Sequence, residues 1–183
     1  MLQPLERGFA RLENSRKEFL GRVQKLQPHQ RAFSPNGHDW SLLQIIDHLV
    51  ISEEQTLRIV AKQLANPKLP DRGRWHAPLR MSLMKLAMRL PLRYKIPTEQ
   101  VAPSPSPDFA ELKARWETVR RNLGTLLANI QQSQQHQPVF RHPFFGLMDV
   151  EQVLLFLQEH FNHHMQQVKR TLKAGGFQTE DLV

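Results

Sequence analysis

The chain of 183 residues contains no cysteine, which removes disulfides, thiolate metal ligands and a cysteine nucleophile together. Any metal held by this protein must therefore sit on nitrogen and oxygen donors. Long apolar runs are also missing. No segment approaches the roughly 18 consecutive apolar residues of a membrane helix, so no membrane association is expected. The first residues, Met1-Leu2-Gln3-Pro4-Leu5-Glu6-Arg7-Gly8, form no apolar signal core, and a cytoplasmic location is the expectation. Acidic residues are in deficit, 17 against 25 Lys and Arg, for a formal charge of +8. Such an excess can attract phosphate, but the positives are dispersed, from Arg72, Arg74, Arg80, Lys85 and Arg89 to Arg120, Arg121, Lys169 and Arg170. Aromatics are only 8% of the chain, and few interleave with these positives as stacking platforms. Solvated helix faces explain the charge better than a nucleic-acid partner does.

What remains is the composition of a soluble globular protein, 40% hydrophobic and 23% charged, and the length of one domain over residues 1–183. Three helix starts carry a polar cap followed three residues later by Glu or Gln: Ser41 with Gln44, Asp108 with Glu111, and Asp149 with Gln152. The spacing of apolar residues predicts long helices from Leu2 or Pro4 to Leu26, Ser41 to Leu64, Asp108 to Ile130, and Asp149 to Gly175-Gly176. With no convincing strand, the expected class is an all-α four-helix bundle. Residues 65–107 are too many for a simple turn and read as a crossover. Its Met-rich middle, Leu79 to Leu90, predicts a short amphipathic helix packed over the bundle. Its end, Pro97 to Pro107, predicts an extended run.

Nine histidines are present, and three of them stand at helical core positions. Apolar residues of the last helix recur at Val150, Val153, Leu157, Val168 and Thr171, and His160 and His164 fill the same stripe. Four residues turn a helix about 40° beyond one full turn, so these two rings project side by side. His48 falls at the edge of the face formed by Leu42, Ile45, Ile46, Leu49 and Val50 on the second helix. Taken alone, His48 reads as a core histidine satisfied by a carbonyl or water. Two adjacent buried imidazoles are different, because each unpartnered polar group costs on the order of 1 to 3 kcal/mol and a divalent ion satisfies one nitrogen of each ring. His163 lies about 100° round from His164; it could replace a neighbour as ligand, but reads better as a supporting or exposed residue. Gln167, seven residues after His160, returns to the stripe as an orienting hydrogen-bond partner. His29, His38, His76, His136 and His142 fall in predicted loops and are expected to face solvent.

These residues resemble the DinB-like (YfiT-like) family of four-helix bundles with a three-histidine divalent metal site. Trp40-Ser41-Leu42-Leu43-Gln44-Ile45-Ile46-Asp47-His48-Leu49 looks like the family's Trp-Ser start of the second helix, and Glu53 matches an acidic residue often found there. His142-Pro143-Phe144-Phe145-Gly146 with Asp149 resembles the His-Pro and Gly loop before the last helix. His160-Phe161-Asn162-His163-His164-Met165-Gln166-Gln167 is similar to the family's His, His pair and Gln spacing, although Met165-Gln166 stands where many members have Arg-Gly. The resemblance implies His48, His160 and His164 as ligands of a divalent ion, nickel or zinc foremost, with manganese or iron as further candidates. It also implies a thiol-dependent transferase acting on a small molecule, with a low-molecular-weight thiol as cofactor because the chain has none. A metal-dependent hydrolase, or a non-catalytic stress-linked metal-binding protein, is the alternative. Glu53 and His163 are the acid or base candidates, Glu53 being about 140° round the helix from His48 and so placed to face solvent. A homodimer is compatible with all of this.

Overall fold

The computed structural model describes residues 1–69, 77–89 and 101–178. Six α-helices are present among them: α1 (Gln3–Val23), α2 (Pro28–Ala32), α3 (Leu42–Ala65), α4 (Ala77–Arg89), α5 (Phe109–Ala128) and α6 (Val150–Ala174). The helix starts form where the caps fall. Ser41 and Asp149 each accept the third amide of their helix, and Gln44 and Gln152 return the bond. Asp108 accepts from the Glu111 amide at 2.9 Å. Pro28 does not simply end the first helix: it occupies the first turn of α2, where its missing N–H costs nothing.

Helices α1, α3, α5 and α6 form the bundle, α1 packing on α6 and α5, and α3 on α5 and α6. Their order around the bundle is therefore α1, α6, α3, α5, so neighbours in sequence such as α1 and α3 take opposite corners. The crossover helix α4 lies on α6, burying Met81, Met84 and Met88, which is the packing role its pattern predicts. The expected extended run is described only from Val101 onward. Among the described residues no helix is long and apolar enough to cross a membrane.

One expectation fails. Strands β1 (Phe140–His142) and β2 (Gly146–Met148) pair antiparallel before α6. Three residues per strand are too few to display an alternating pattern. The turn depends on Gly146, whose φ of 75° lies in the left-handed region.

The apolar core is split into two clusters. One gathers Leu12, Leu123, Leu157 and the α4 methionines; the other gathers Phe19, Val50, Trp116 and Phe161. Between them runs a belt of buried polar side chains: Arg16 on α1, Glu53 and Thr56 on α3, Arg120 on α5 and Gln158 on α6. Arg120 is thus not on a solvated face, as its place among the dispersed positives implied; it is 1% exposed. Its guanidinium donates to Glu53 Oε1 at 2.6 Å, and Glu53 Oε2 accepts from the Trp116 indole at 2.9 Å.

Candidate metal centre

His48 comes from the second turn of α3, and His160 and His164 come from the middle of α6. The packing of α3 on α6 brings their Nε2 atoms together, 3.4 Å between His48 and His160 and 3.1 Å between His164 and His160. Nitrogen ligands at about 2.0–2.1 Å from a tetrahedral zinc stand about 3.3–3.4 Å apart, so this spacing suits one ion. Among the described residues, these three form the group of donor atoms able to hold a metal, all within 4.8 Å of one another.

The outer nitrogens decide the chemistry of the inner ones. His48 Nδ1 lies 2.8 Å from the Val101 carbonyl, which can only accept, so this nitrogen carries the proton. His164 Nδ1 donates to Gln167 Oε1 at 2.9 Å. In the neutral rings, both Nε2 atoms are then bare lone pairs aimed at His160. A proton on His160 Nε2 could satisfy one of them and would leave the other facing an unanswered neighbour. A single cation answers all three, and the residues fit a divalent metal on that ground.

Burial favours neutral rings. His160 and His164 are held well below the usual histidine range, first by burial; His164 and then His48 add to this for His160, and His48 and His163 for His164. His48 is lowered by burial as well, with its bond to Val101 and the nearby Asp47 pulling the other way. Protons therefore compete for the ligand nitrogens only well on the acid side of 6.5. Metal affinity, followed by titration with a divalent ion across pH, is expected to stay level from pH 8 through 6.5 and to fall only below that. A decline centred at 6.5 would mark solvent-exposed rings. The metal-free fold should behave in a related way. Its native state resists protons that the unfolded chain accepts below about 6.5, so its stability should drop as pH falls through that value toward the lowered pKa values.

Aromatic rings flank the cluster. Trp40, half-buried, packs against His48 at 5.0 Å and stacks on His164 at 6.5 Å between centroids. Phe156 stacks on His160 at 5.7 Å. His48 and His164 are 6% and 7% exposed, whereas His160 is half-buried.

The remaining sequence candidates fall elsewhere. His163 Nδ1 is 2.9 Å from the Met88 carbonyl, tying α6 to the end of α4. Glu53 does not face solvent: 140° round from His48 is the direction of α5, where Arg120 and Trp116 engage both its oxygens. Burial pushes its carboxyl up, with Arg120 and the Trp116 N–H pulling it down. His29, His38 and His136 are exposed as expected, and His76 lies outside the described residues. His142 is a correction. Its ring is half-buried against Phe145 and Phe156, its Nδ1 accepts the Phe144 and Phe145 amides, and burial lowers its pKa to about 4.

Asp47 was not singled out by its residue type, yet it is fully buried beside His48. Its Oδ2 accepts from the Ser104 amide at 2.8 Å and its Oδ1 from Arg115 at 3.1 Å. The available signal was a carboxylate inside the otherwise apolar run Ile45-Ile46-Asp47-His48-Leu49-Val50.

The molecule is thus a four-helix bundle whose candidate metal centre is formed by three convergent imidazoles drawn from two of its helices. The sequence model of the DinB superfamily matches residues 11–168, and the chain belongs to that superfamily. No curated protein matches it. Among solved structures it is similar to YfiT from Bacillus subtilis, described as a probable metal-dependent hydrolase with an unusual four-helix bundle topology. That likeness has 14% identity and a TM-score of 0.60, over 97% of this chain and 91% of that one. It is also similar to TT2238, described as a four-helix bundle protein, at 20% identity and a TM-score of 0.56, over 91% of this chain and 98% of that one. At these identities the likeness is one of fold.

Proposed function

We propose that the protein is a divalent-metal-dependent enzyme acting on a small molecule, and specifically a transferase that uses a low-molecular-weight thiol. The observation that carries the metal-dependent reading is the convergence of three Nε2 atoms, two of them, on His48 and His164, bared as lone pairs because their outer nitrogens are engaged. A divalent ion there supplies Lewis-acid activation of a small nucleophile. Nickel and zinc both suit an all-imidazole set.

The chain's own residues then have definite roles. Val101 and Gln167 keep the Nδ1 protons in place and so aim the ligand nitrogens. Trp40 and Phe156 wall the rings against water. His160 is the least buried of the three rings, and its side of the centre is the one a substrate would approach. Glu53 is committed to Arg120 and Trp116, and among the described residues no carboxylate joins the histidine cluster. A thiol nucleophile gives its proton to solvent when a metal binds it, so the thiol reading asks for no protein carboxylate at the centre. Hydrolysis is the second reading because the fold neighbour YfiT is described as a probable metal-dependent hydrolase.

The test uses cobalt-loaded protein. Addition of glutathione, cysteine or other small thiols is expected to produce a sulfur-to-cobalt charge-transfer band, and an electrophile should then be consumed with that thiol. Silence toward every thiol, with turnover of ester or amide substrates, would replace the transferase reading with the hydrolase one.

A further inference from the structure

Two consecutive residues of α3 hold the same piece of the crossover. His48 Nδ1 donates to the Val101 carbonyl at 2.8 Å, and the Ser104 amide donates to Asp47 Oδ2 at 2.8 Å. The segment they pin reads Val101-Ala102-Pro103-Ser104-Pro105-Ser106-Pro107. Ser104 stands between two prolines that have no N–H, and its amide fastens this stretch to α3 beside the site. The segment has no strand partner among the described residues, and nothing in a ladder positions the Val101 carbonyl.

Asp47 is 0% exposed. A carboxylate is costly to bury unless its oxygens are bonded, and Ser104 and Arg115 supply those bonds. The consequence reaches His48, because the carbonyl that fixes its tautomer is three residues from the amide that Asp47 holds.

We propose that Asp47 is a positioning residue for the metal centre, acting through the Ser104 amide and the Val101 carbonyl to hold the His48 ring in its ligating orientation. The proposal rests on the metal-centre reading above and adds a residue that touches neither the ion nor substrate. It makes the return of the crossover and the quality of the third ligand a single coupled unit.

Ser104→Pro is the cleanest probe. Ser104 precedes Pro105, which already biases it to extended backbone, and proline at this position deletes the N–H. Cobalt titration of the full chain, read by its visible d–d absorption, should show one site in wild type. Ser104→Pro and Asp47→Ala should each weaken that site about tenfold, the low end of what partners behind a ligand contribute, with a changed d–d band. Ser104→Ala, which keeps the N–H, should match wild type. The double variant Asp47→Ala/Ser104→Pro should be no weaker than either single one, because both remove the same bond. Thermal melts of the metal-free proteins separate loss of fold from loss of affinity, and Ser104→Pro disturbs no buried side chain. Wild-type affinity in both single variants, or losses that add in the double variant, would overturn the role of Asp47 while leaving the centre intact. Absence of a stoichiometric cobalt site in wild type would overturn the centre and this role together.

Discussion

Purified wild-type protein is expected to carry close to one divalent ion per chain, and His164→Ala to lose nearly all of it. The ring supplies one of three ligands, and the remaining pair, His48 and His160, bind as a two-point chelate. Since loss of a partner behind a ligand costs about 10–100-fold in affinity, loss of the ligand itself should exceed about a hundredfold. Stability should respond differently in the two forms. In metal-free protein the substitution removes a lone pair facing His160 at 3.1 Å, so the melting temperature should stay near that of wild type. In metal-loaded protein the stabilisation conferred by a bound ligand disappears with the site. His163→Ala is the companion control, since its Nδ1 is engaged by Met88 rather than aimed at the cluster. Elemental analysis of both variants decides the matter, and equal metal in wild type and His164→Ala would refute the ligand assignment.

The second large effect is expected at Glu53, and it is one of folding. Glu53→Ala deprives the Arg120 guanidinium, 1% exposed, of its 2.6 Å partner and leaves it, among the described residues, only Glu13 at 3.9 Å. Removing one member of a buried pair costs about 3–5 kcal/mol. In urea denaturation that should move the midpoint down by about 1–2 M. Metal content per folded chain should be unchanged. Glu53→Gln keeps the shape of the side chain and its bond to Trp116 and should lose less. If Glu53 instead transfers protons during turnover, Glu53→Gln would abolish activity while the urea midpoint stayed in place, and that outcome would restore the acid or base role.

The sequence is most informative where one residue type settles a local geometry. Ser41, Asp108 and Asp149 cap α3, α5 and α6 because their short oxygens reach the free amides of the first turn, whatever the rest of the fold does. The stripe through Val153, Leu157, His160 and His164 is likewise a property of one helix. Features that need two distant segments were not legible. Glu53 appears solvent-facing on a helical wheel because the wheel does not contain α5. The hairpin at residues 140–148 is too short for periodicity and rests on a glycine whose conformation shows only in three dimensions. The Val101 carbonyl carries no side-chain signature at all, though it decides which nitrogen of His48 is free. Asp47 could be noticed as a charge in an apolar run, but its partners, Ser104 and Arg115, lie 57 and 68 residues away.

The separation of the ligands along the chain also bears on when the site can come into being. His48 and His160 are 112 residues apart, and synthesis at about 5–20 residues per second places roughly 6 to 22 s between their appearances at the ribosome. Throughout that interval His48 has neither of the two rings that complete the centre, and the bundle geometry that would gather other imidazoles round it does not exist. A growing chain of this protein is consequently a poor competitor for scarce ions, and capture is deferred until α6 has been made and docked. The distance in sequence acts as a clock that lets the bundle form before the metal is chosen.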